Sequence, residues 1–247
     1  MKLLLLADHK VGWEITRFLL DKYPEDLALV VTTSENEILE IARSVGVPTL
    51  VFDSGDKLAD YLKQGKIDCD LGVLAWWPKI IKPPLLNQPR LGFINTHPSL
   101  LPHNRGKHYN FWSIVEDAPF GVSLHFVDEG VDSGDVIAQQ AIAYDWIDTG
   151  GTLYHKAQEA MVELFHDSYP LLRTLDIPRH PQDFAQGSFH RAVELETASR
   201  INLEGVYRGR DFLNLLRART FPGHPACWFE DDGEIFEVRI NINRRIN

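Results

Sequence analysis

Polar side chains that can carry protons close one apolar run of this 247-residue sequence. The run "LGFINTH" ends with Asn95 and His97, and Pro98 follows. Alternate residues of a strand point to the same face, so we expect these two side chains to project together. A histidine can exchange a proton near neutral pH, and an asparagine amide can donate a hydrogen bond to a developing oxyanion. The pair predicts acid–base chemistry at an oxygen that gains charge.

A histidine base also needs a group that fixes its tautomer, usually a carboxylate. The downstream turn "DEGVDSGD" offers four candidates and gives no reason to choose among them: Asp128, Glu129, Asp132 and Asp135. A turn-capping Asn beside a surface His is the ordinary alternative for this pair. A metal site built from His97, His103 and His108 is another, but their spacing matches no usual zinc pattern, so no metal is expected.

The elements that must position these residues alternate along the chain. Between residues 2 and 97, continuous runs of Leu, Val and Ile are separated by amphipathic helical patterns. Such runs are typical of parallel strands that are covered on both faces. The order predicts an α/β fold with a doubly wound, mostly parallel sheet. Sheets of this kind bind ligands beyond the carboxyl ends of their strands, where Asn95 and His97 are expected.

The pattern changes after residue 118. Two further strands, a long helix over about 153–172 and a Pro-rich polar segment come next. The chain then continues with a helix at "RDFLNLLRARTF" and two strands joined by an Asp-Gly turn. We therefore predict a main domain over residues 1–178 and a small C-terminal α+β unit over residues 179–247. The apolar strands of this unit suggest a role in homodimerisation.

Composition excludes several classes of partner. The formal net charge of −10 disfavours nucleic acid, and no apolar run is long enough to span a membrane. The two cysteines, Cys69 and Cys227, are too few for a disulfide framework and fit a reducing compartment. The first strand leads into "ADHKVGWE", which has neither a dinucleotide fingerprint nor a P-loop. We expect a cytoplasmic protein that acts on a small molecule.

Two stretches, "FINTHPSLLPHNRG" and "GVSLHFVDEGVDSGDVI", together resemble the signature of the folate-dependent formyltransferase family. This family includes methionyl-tRNA formyltransferase, glycinamide ribonucleotide transformylase and the nucleotide-sugar N-formyltransferases. The resemblance implies a Rossmann-like formyltransferase fold and formyl transfer from 10-formyltetrahydrofolate to an amine. It places the family's catalytic residues on Asn95, His97 and Asp132. Asn95 and protonated His97 would then stabilise the oxyanion, while Asp132 would hold His97 and help pass a proton to the leaving folate nitrogen.

The same resemblance predicts where the folate binds. The family lines its pterin slot with three segments, from the region after the fourth strand, from "SLLP" and from the turn before the catalytic Asp. Apolar walls and backbone polar groups suit a flat heterocycle with amide-like edges. These segments correspond here to Pro78, Lys79, Ile80 and Ile81; to Ser99, Leu100, Leu101 and Pro102; and to Val127, Asp128, Glu129, Gly130 and Val131.

The acceptor is predicted from features of other family members that this sequence lacks. The chain lacks the Gly-rich phosphate loop of the glycinamide enzyme and the basic C-terminal domain of the tRNA enzyme. It is more similar to the nucleotide-sugar N-formyltransferases, and dTDP-4-amino-4,6-dideoxyglucose, a sugar of O-antigen biosynthesis, is the preferred acceptor. Arg105 and Lys107 would meet the pyrophosphate. The predicted acceptor-binding residues are Asn104, Arg105, Lys107, Tyr109 and Phe221.

Three alternatives remain from the sequence. Water could replace the amine, which would make the protein a formyltetrahydrofolate hydrolase. The amine could belong to another acceptor, glycinamide ribonucleotide or methionyl-tRNA. A non-catalytic binding module is the third alternative, although a binder has no need of a base such as His97. The position of the amino group on the sugar, C3 or C4, stays open.

Overall fold

A computed structural model of the protein describes residues 1–245. The strands are β1 Leu3–Ala7, β2 Leu27–Thr32, β3 Thr49–Val51, β4 Leu71–Ala75, β5 Phe93–His97, β6 Arg105–Gly106, β7 Gly121–Phe126, β8 Val136–Ala141, β9 Phe189–His190, β10 Cys227–Asp231 and β11 Glu234–Val238. The helices are α1 His9–Lys22, α2 Glu37–Ser44, α3 Gly55–Gln64, α4 Tyr109–Val115, α5 Gly150–Leu172, α6 Glu194–Ala198 and α7 Gly209–Ala218.

A seven-stranded sheet carries the site, with the strand order β3-β2-β1-β4-β5-β7-β8. Strand β1 pairs in parallel with β2 and β4, β2 with β3, and β4 with β5. Strand β7 then pairs with β5 in the antiparallel direction. The predicted doubly wound, mostly parallel sheet is confirmed.

The apolar runs of the sequence form the centre of this sheet. Every residue of β1 and of β4 is buried, as continuous apolar strands covered on both faces should be. Gly72 of β4 lies beside Phe93 of β5, and a Cβ at Gly72 would come within 2.2 Å of the Phe93 ring. Glycine at this position therefore lets a large aromatic ring pack against β4 at the start of β5.

Helices α2 and α3 begin at capping side chains that the sequence offers. The Asn36 side chain accepts hydrogen bonds from the backbone N–H groups of Ile38 and Leu39, so it is the cap of α2. The Ser54 side chain accepts from Lys57 N–H at the start of α3. After α2, Gly46 adopts a positive φ of 80°, a conformation that glycine tolerates and that ends the helix. Both ends of α2 and the start of α3 thus follow from local chemistry.

The described chain divides into two compact units. The first comprises Met1–His97, Ser123–Gln139 and Gln158–Gln182. Its core includes Leu4, Leu6 and Leu29 from the sheet, together with Leu58 of α3 and Phe93 of β5. No helix within residues 1–245 combines the length and the apolar character that crossing a membrane requires.

The second unit comprises Pro98–Val122, Gln140–Ala157 and the chain from Asp183 onward. It contains the parallel pair β6–β9 and the antiparallel hairpin β10–β11. The hairpin turns at Asp232 and Gly233, whose φ angles are both positive at 49° and 81°, as a two-residue hairpin turn requires. Ile201, Leu216 and Cys227 form a small core in this unit. The small C-terminal two-stranded sheet predicted from the sequence is therefore confirmed.

Candidate active site

The carboxyl end of β5 brings the predicted amide and imidazole to the edge of the sheet. Asn95 and His97 are alternate residues of β5, and His97 is its last residue. Between them, the Thr96 hydroxyl donates to Leu74 O at 3.0 Å and accepts from Trp76 N–H at 2.8 Å. This bridge ties the end of β5 to the end of β4, so the backbone that carries the two functional side chains is fixed.

His97 and Asp132 lie side by side. His97 Nδ1 is 3.4 Å from Asp132 Oδ1, and the His97 side chain is almost completely buried. The other ring nitrogen, Nε2, is buried without a hydrogen-bond partner among the described residues. Buried polar atoms are rarely left unsatisfied, so Nε2 marks a place for a ligand group.

The turn between β7 and β8 presents Asp132. Its φ angle is 50°, a left-handed conformation that aspartate tolerates better than most residues. The Asp128 carboxylate organises the same turn by accepting from Gly130 N–H at 3.0 Å and Ser133 Oγ at 2.7 Å. A Cβ at Gly134 would come within 2.0 Å of Phe126 O, so the turn closes tightly there. Of the four carboxylates open from the sequence, Asp132 is the one in contact with His97.

His125 joins these three residues and was missed by the sequence analysis. It lies on β7 directly opposite Asn95 on β5. His125 Nδ1 is 2.7 Å from Phe126 O, and because a carbonyl only accepts, Nδ1 must carry the proton. Nε2 is then a free acceptor, 3.2 Å from Asn95 Nδ2. A histidine inside the largely apolar run "GVSLHF" was the sequence signal that could have revealed it.

The electrostatic state of His125 follows from its surroundings. Burial, and next the nearby charge of His97, lower the pKa of His125 to about 4. The ring is therefore neutral at physiological pH and keeps its Nε2 lone pair directed at the Asn95 amide. Asn95 Nδ2 also lies 3.5 Å from Asp132 Oδ1. Asn95 thus directs one N–H to His125 Nε2 and its second N–H toward Asp132 Oδ1.

The cluster combines three chemical capacities. An imidazole with a carboxylate neighbour can transfer a proton, and an oriented amide can stabilise negative charge on oxygen. The potential ligand atoms of His97, His125 and Asp132 also lie within 4.8 Å of one another, which is close enough to hold a metal ion. The geometry therefore supports acyl-transfer chemistry and offers a set of metal ligands.

Comparison with known families decides which chemistry is relevant. The family model described as "Formyl transferase" matches residues 27–168, which include all four residues of the cluster. The chain belongs to the formyl transferase family. A second family model, described as an N-formyltransferase dimerization C-terminal domain, matches residues 194–244 of the chain.

Curated relatives of this formyl transferase family member include methionyl-tRNA formyltransferases. That of Geobacillus thermodenitrificans is 29% identical over 172 residues, covering 68% of this chain and 52% of the relative. That of Pelotomaculum thermopropionicum is 33% identical over 147 residues, covering 59% of this chain and 46% of the relative. The chain thus spans about half the length of these relatives.

Solved structures match over nearly the whole chain. A 4-N formyltransferase from Francisella tularensis is 22% identical with a TM-score of 0.81, covering 99% of this chain and 98% of that one. A sugar N-formyltransferase from Shewanella is 20% identical with a TM-score of 0.80, covering 100% and 99%. The formyltransferase PseJ from Anoxybacillus kamchatkensis, in complex with UDP-4,6-dideoxy-4-formamido-L-AltNAc and tetrahydrofolate, is 27% identical with a TM-score of 0.59, covering 88% and 98%. These likenesses establish the formyltransferase fold.

The first unit contains two of the three segments predicted to bind folate. After β4, Pro78, Lys79 and Ile80 are exposed and Ile81 is buried. The Lys79 ammonium lies over the Phe52 ring at 5.0 Å from its centroid. In the turn 127–131, Val127 is half-buried and the other four residues are exposed. The exposed fractions of Ile80 and Val131 are 78% and 45%, so each segment offers an apolar side chain that the described fold does not cover.

The third predicted segment, residues 99–102, lies in the second unit. Ser99 Oγ donates to His103 O at 2.8 Å, which closes this short loop on itself. Leu101 is buried, whereas Leu100 and Pro102 are half-buried. The loop is therefore compact.

The predicted acceptor residues also belong to the second unit. Asn104 is fully buried, donating to Ser113 Oγ at 2.9 Å and accepting from Ser188 Oγ at 3.2 Å, so it orders the loop. Tyr109 is buried and stacks near Tyr154, and half-buried Phe221 also packs on Tyr154 at 5.3 Å. The described contacts of Asn104 and Tyr109 are those of loop-ordering and core residues, and direct contact with an acceptor stays a prediction for both.

Arg105 and Lys107 form no ion pair with another residue of the described range 1–245. The Arg105 guanidinium lies over the Phe184 and Phe189 rings at 4.3 and 5.8 Å, and its Nε is buried without a hydrogen-bond partner among the described residues. Lys107 is exposed. A guanidinium held by aromatic rings keeps its N–H groups for an external acceptor.

Proposed function

We propose that this protein transfers a formyl group from 10-formyltetrahydrofolate to the primary amine of a nucleotide-linked amino deoxysugar. The observation that carries the proposal is the convergence of Asn95, His97 and Asp132, with His97 Nε2 buried and unpartnered beside them. A member of this family that bound ligands without reaction would have no use for that arrangement. The proposed acceptor is dTDP-4-amino-4,6-dideoxyglucose.

The cluster would stabilise the charge that develops during transfer. The folate supplies a formyl group bonded to N10, and attack by the amine nitrogen turns the formyl oxygen into an oxyanion. Protonated His97 would donate to this oxygen from Nε2, and Asn95 would redirect to it the N–H that faces Asp132 Oδ1 in this structure. A preorganised amide donor of this kind contributes about 3 kcal/mol to transition-state stabilisation.

The same residues would then manage the protons. As the bond between the formyl carbon and N10 breaks, the electron pair moves to N10, which takes up a proton. The acceptor amine loses a proton as its new amide bond forms. His97 and Asp132 lie 3.4 Å apart and would relay one proton between these two nitrogens. The reaction yields tetrahydrofolate and the formamido sugar with no net change in protons.

Exposed apolar side chains support the proposed folate slot. They belong to the two segments that precede Asn95 and Asp132 in the sequence. Ile80 exposes most of its surface and Val131 exposes nearly half. Covering these aliphatic side chains with a ligand would remove apolar surface from water, which is favourable. Backbone groups of the turn 127–131 would recognise the edges of the pterin. The PseJ complex with tetrahydrofolate supports the same co-substrate.

Arg105 supports an anionic acceptor. Its guanidinium is fixed by Phe184 and Phe189, and pyrophosphate oxygens would supply the acceptors that its Nε lacks. Lys107, two residues away, would add a second positive charge. A nucleotide diphosphate sugar provides both the anion and the amine.

Methionyl-tRNA is a second candidate acceptor because the curated relatives with 29% and 33% identity are methionyl-tRNA formyltransferases. The formal net charge of −10 argues against it, since binding to tRNA depends on neutralising phosphates with positive charge. We rank it below the nucleotide sugar.

The experiment is a transfer assay with purified protein and 10-formyltetrahydrofolate. Parallel reactions contain dTDP-, UDP- and GDP-linked amino sugars with the amine at C3 or C4, glycinamide ribonucleotide, methionyl-tRNA, or no amine. We expect a formamido nucleotide sugar by mass spectrometry, fastest with the dTDP-linked 4-amino sugar. No formylated sugar in any reaction would refute the proposal. Equal formate release with and without amine would instead identify a hydrolase.

We further propose that the protein forms a homodimer through its C-terminal unit. Ile235 and Phe236 of β11 have exposed fractions of 69% and 42%, and Phe236 stacks on Phe229 of β10 at 5.3 Å. Neighbouring strand residues point to opposite faces, so each face of the hairpin exposes one of these apolar side chains. The match of residues 194–244 to a dimerization domain supports a second copy of this chain as the group that covers them. Light scattering at micromolar concentration tests the proposal, and a monomeric mass would refute it.

A further inference from the structure

A short polar segment, residues 179–182, is attached to the turn that presents Asp132. The Arg179 guanidinium lies 3.4 Å from the centroid of the Phe126 ring. His180 and Val136 exchange two backbone hydrogen bonds of 2.9 Å. These contacts hold the segment against both ends of the turn, because Phe126 ends β7 and Val136 begins β8.

Gln182 reaches the centre of the turn. Its Nε2 donates to Asp132 O at 2.9 Å and to Gly134 O at 2.7 Å. Two carbonyl oxygens can only accept, so the amide must present its NH₂ group to them. The Oε1 atom of Gln182 is buried without a partner among the described residues. The hydrogen bonds that orient the Gln182 amide are therefore those to the Asp132 and Gly134 carbonyls.

These two hydrogen bonds hold the backbone of the turn at Asp132 and Gly134. Asp132 is held in a left-handed backbone conformation with φ of 50°, which an aspartate leaves readily when nothing holds it. The Asp128 carboxylate fixes Gly130 and Ser133. The carbonyl of Asp132 itself is fixed by Gln182. A rotation of this peptide would move the Asp132 side chain relative to His97.

We propose that Gln182 is a positioning residue for formyl transfer, which holds the Asp132 carboxylate at its contact distance from His97. The inference rests on the proposed function, because the contact matters most if His97 and Asp132 relay a proton. A displacement of about 1 Å at such a pair can lower a rate by about a hundredfold. Gln182 acts through Asp132 and needs no contact with either substrate.

The test compares Gln182→Met, which keeps the length of the side chain and removes the donor, with Gln182→Glu, which places a carboxylate against the two carbonyls. Gln186→Met is the matched control, since Gln186 is exposed and bonds to Asp183. We expect both Gln182 variants to lower kcat by about tenfold to a hundredfold while KM for both substrates stays within about twofold. Gln186→Met should retain wild-type kinetics.

A second measurement needs no substrate and separates this inference from the proposed function. Histidine ring-nitrogen NMR signals are recorded for the wild type and for the Gln182 variants. We expect the His97 signals to shift in Gln182→Met while those of His166, on α5, stay unchanged. This readout tests the positioning role even if no acceptor is formylated.

Three results would overturn the inference. The first is a wild-type kcat with unchanged His97 signals in both variants. The second is a loss of thermal stability with an unchanged kcat per folded molecule, which would make Gln182 purely structural. The third is failure of both variants to fold at 15 °C or below. That result would show that Gln182 is needed for the whole fold and not only for the turn that presents Asp132.

Discussion

Asn95 and His125 face each other across β5 and β7, and the neutral His125 ring accepts one N–H of the Asn95 amide at 3.2 Å. The hydrogen bond from His125 Nδ1 to Phe126 O fixes the tautomer that makes this possible. The amide is therefore oriented before any ligand binds. This preorganisation is what an oxyanion donor requires.

Removal of His125 should act through Asn95. We expect Asn95→Ala to lower kcat by about a hundredfold, equivalent to about 3 kcal/mol. His125→Leu should lower kcat by about tenfold or more, because the amide loses its acceptor. His166→Leu is the control, since His166 stacks on Phe18 on α1.

The double variant Asn95→Ala/His125→Leu makes this prediction sharper. If His125 acts by orienting Asn95, the double variant is no slower than Asn95→Ala alone. Steady-state kinetics on the three variants gives the answer. Effects that multiply would show instead that His125 acts independently of Asn95.

The stability of the protein should depend on pH through His125. The pKa of this ring is lowered from 6.5 to about 4 in the folded protein, first by burial and then by the charge of His97. Below pH 6.5 the unfolded chain gains a proton at this ring that the folded chain does not, so stability falls as pH drops toward 4. We expect a shallower decline of Tm over this range in His125→Leu. Parallel Tm curves for the two proteins would contradict the assignment.

The sequence predicted this site only in part, for physical reasons that differ between residues. Asn95 and His97 could be found because a strand's alternation and its end are local properties. The choice of Asp132 over Asp128, Glu129 and Asp135 depends on the backbone of one turn, and the sequence needed the family resemblance to select it. The doubly wound, mostly parallel sheet, by contrast, followed from hydrophobic runs and the rules for parallel sheets, although the order of its strands was not predicted.

His125 and Gln182 were not predicted because both act through contacts with residues that are distant in the sequence. His125 meets Asn95 only because β7 pairs with β5 in one particular antiparallel register. Gln182 lies in a Pro-rich polar stretch that has the composition of a linker. Its function depends on contact with a turn some fifty residues earlier, which no local pattern encodes.

Zinc ions should inhibit the enzyme. His97 Nδ1 and His125 Nε2 lie 3.4 and 3.7 Å from Asp132 Oδ1, close to the separation of about 3.4 Å expected between ligands around tetrahedral Zn²⁺. Micromolar Zn²⁺ should therefore occupy the atoms that catalysis needs, and EDTA should restore activity. Mg²⁺, which prefers six oxygen ligands, serves as the control.

Binding of cobalt gives a readout that is independent of activity. Co²⁺ bound to this set should produce visible absorption bands that disappear in His125→Leu. Activity that is insensitive to millimolar Zn²⁺, or equal Co²⁺ spectra in both proteins, would refute the prediction.

The proposed dimer should depend on the face of β11 that carries Ile235. Ile235→Glu places a charge on a side chain that is 69% exposed, so the monomer should fold normally while the dimer dissociates. Val45→Glu is the matched control, an exposed apolar side chain at the end of α2. Light scattering should give a monomeric mass for Ile235→Glu alone. A dimeric mass would exclude this face from the interface.

The most direct test of the catalytic role of His97 is the rate of formyl transfer by wild-type protein and by His97→Ala, measured side by side with 10-formyltetrahydrofolate and the dTDP-linked 4-amino sugar. Circular dichroism establishes that both proteins are folded to the same extent. We predict that the wild type forms the formamido sugar and that His97→Ala is slower by about a hundredfold or more. Equal rates for two equally folded proteins would contradict the account.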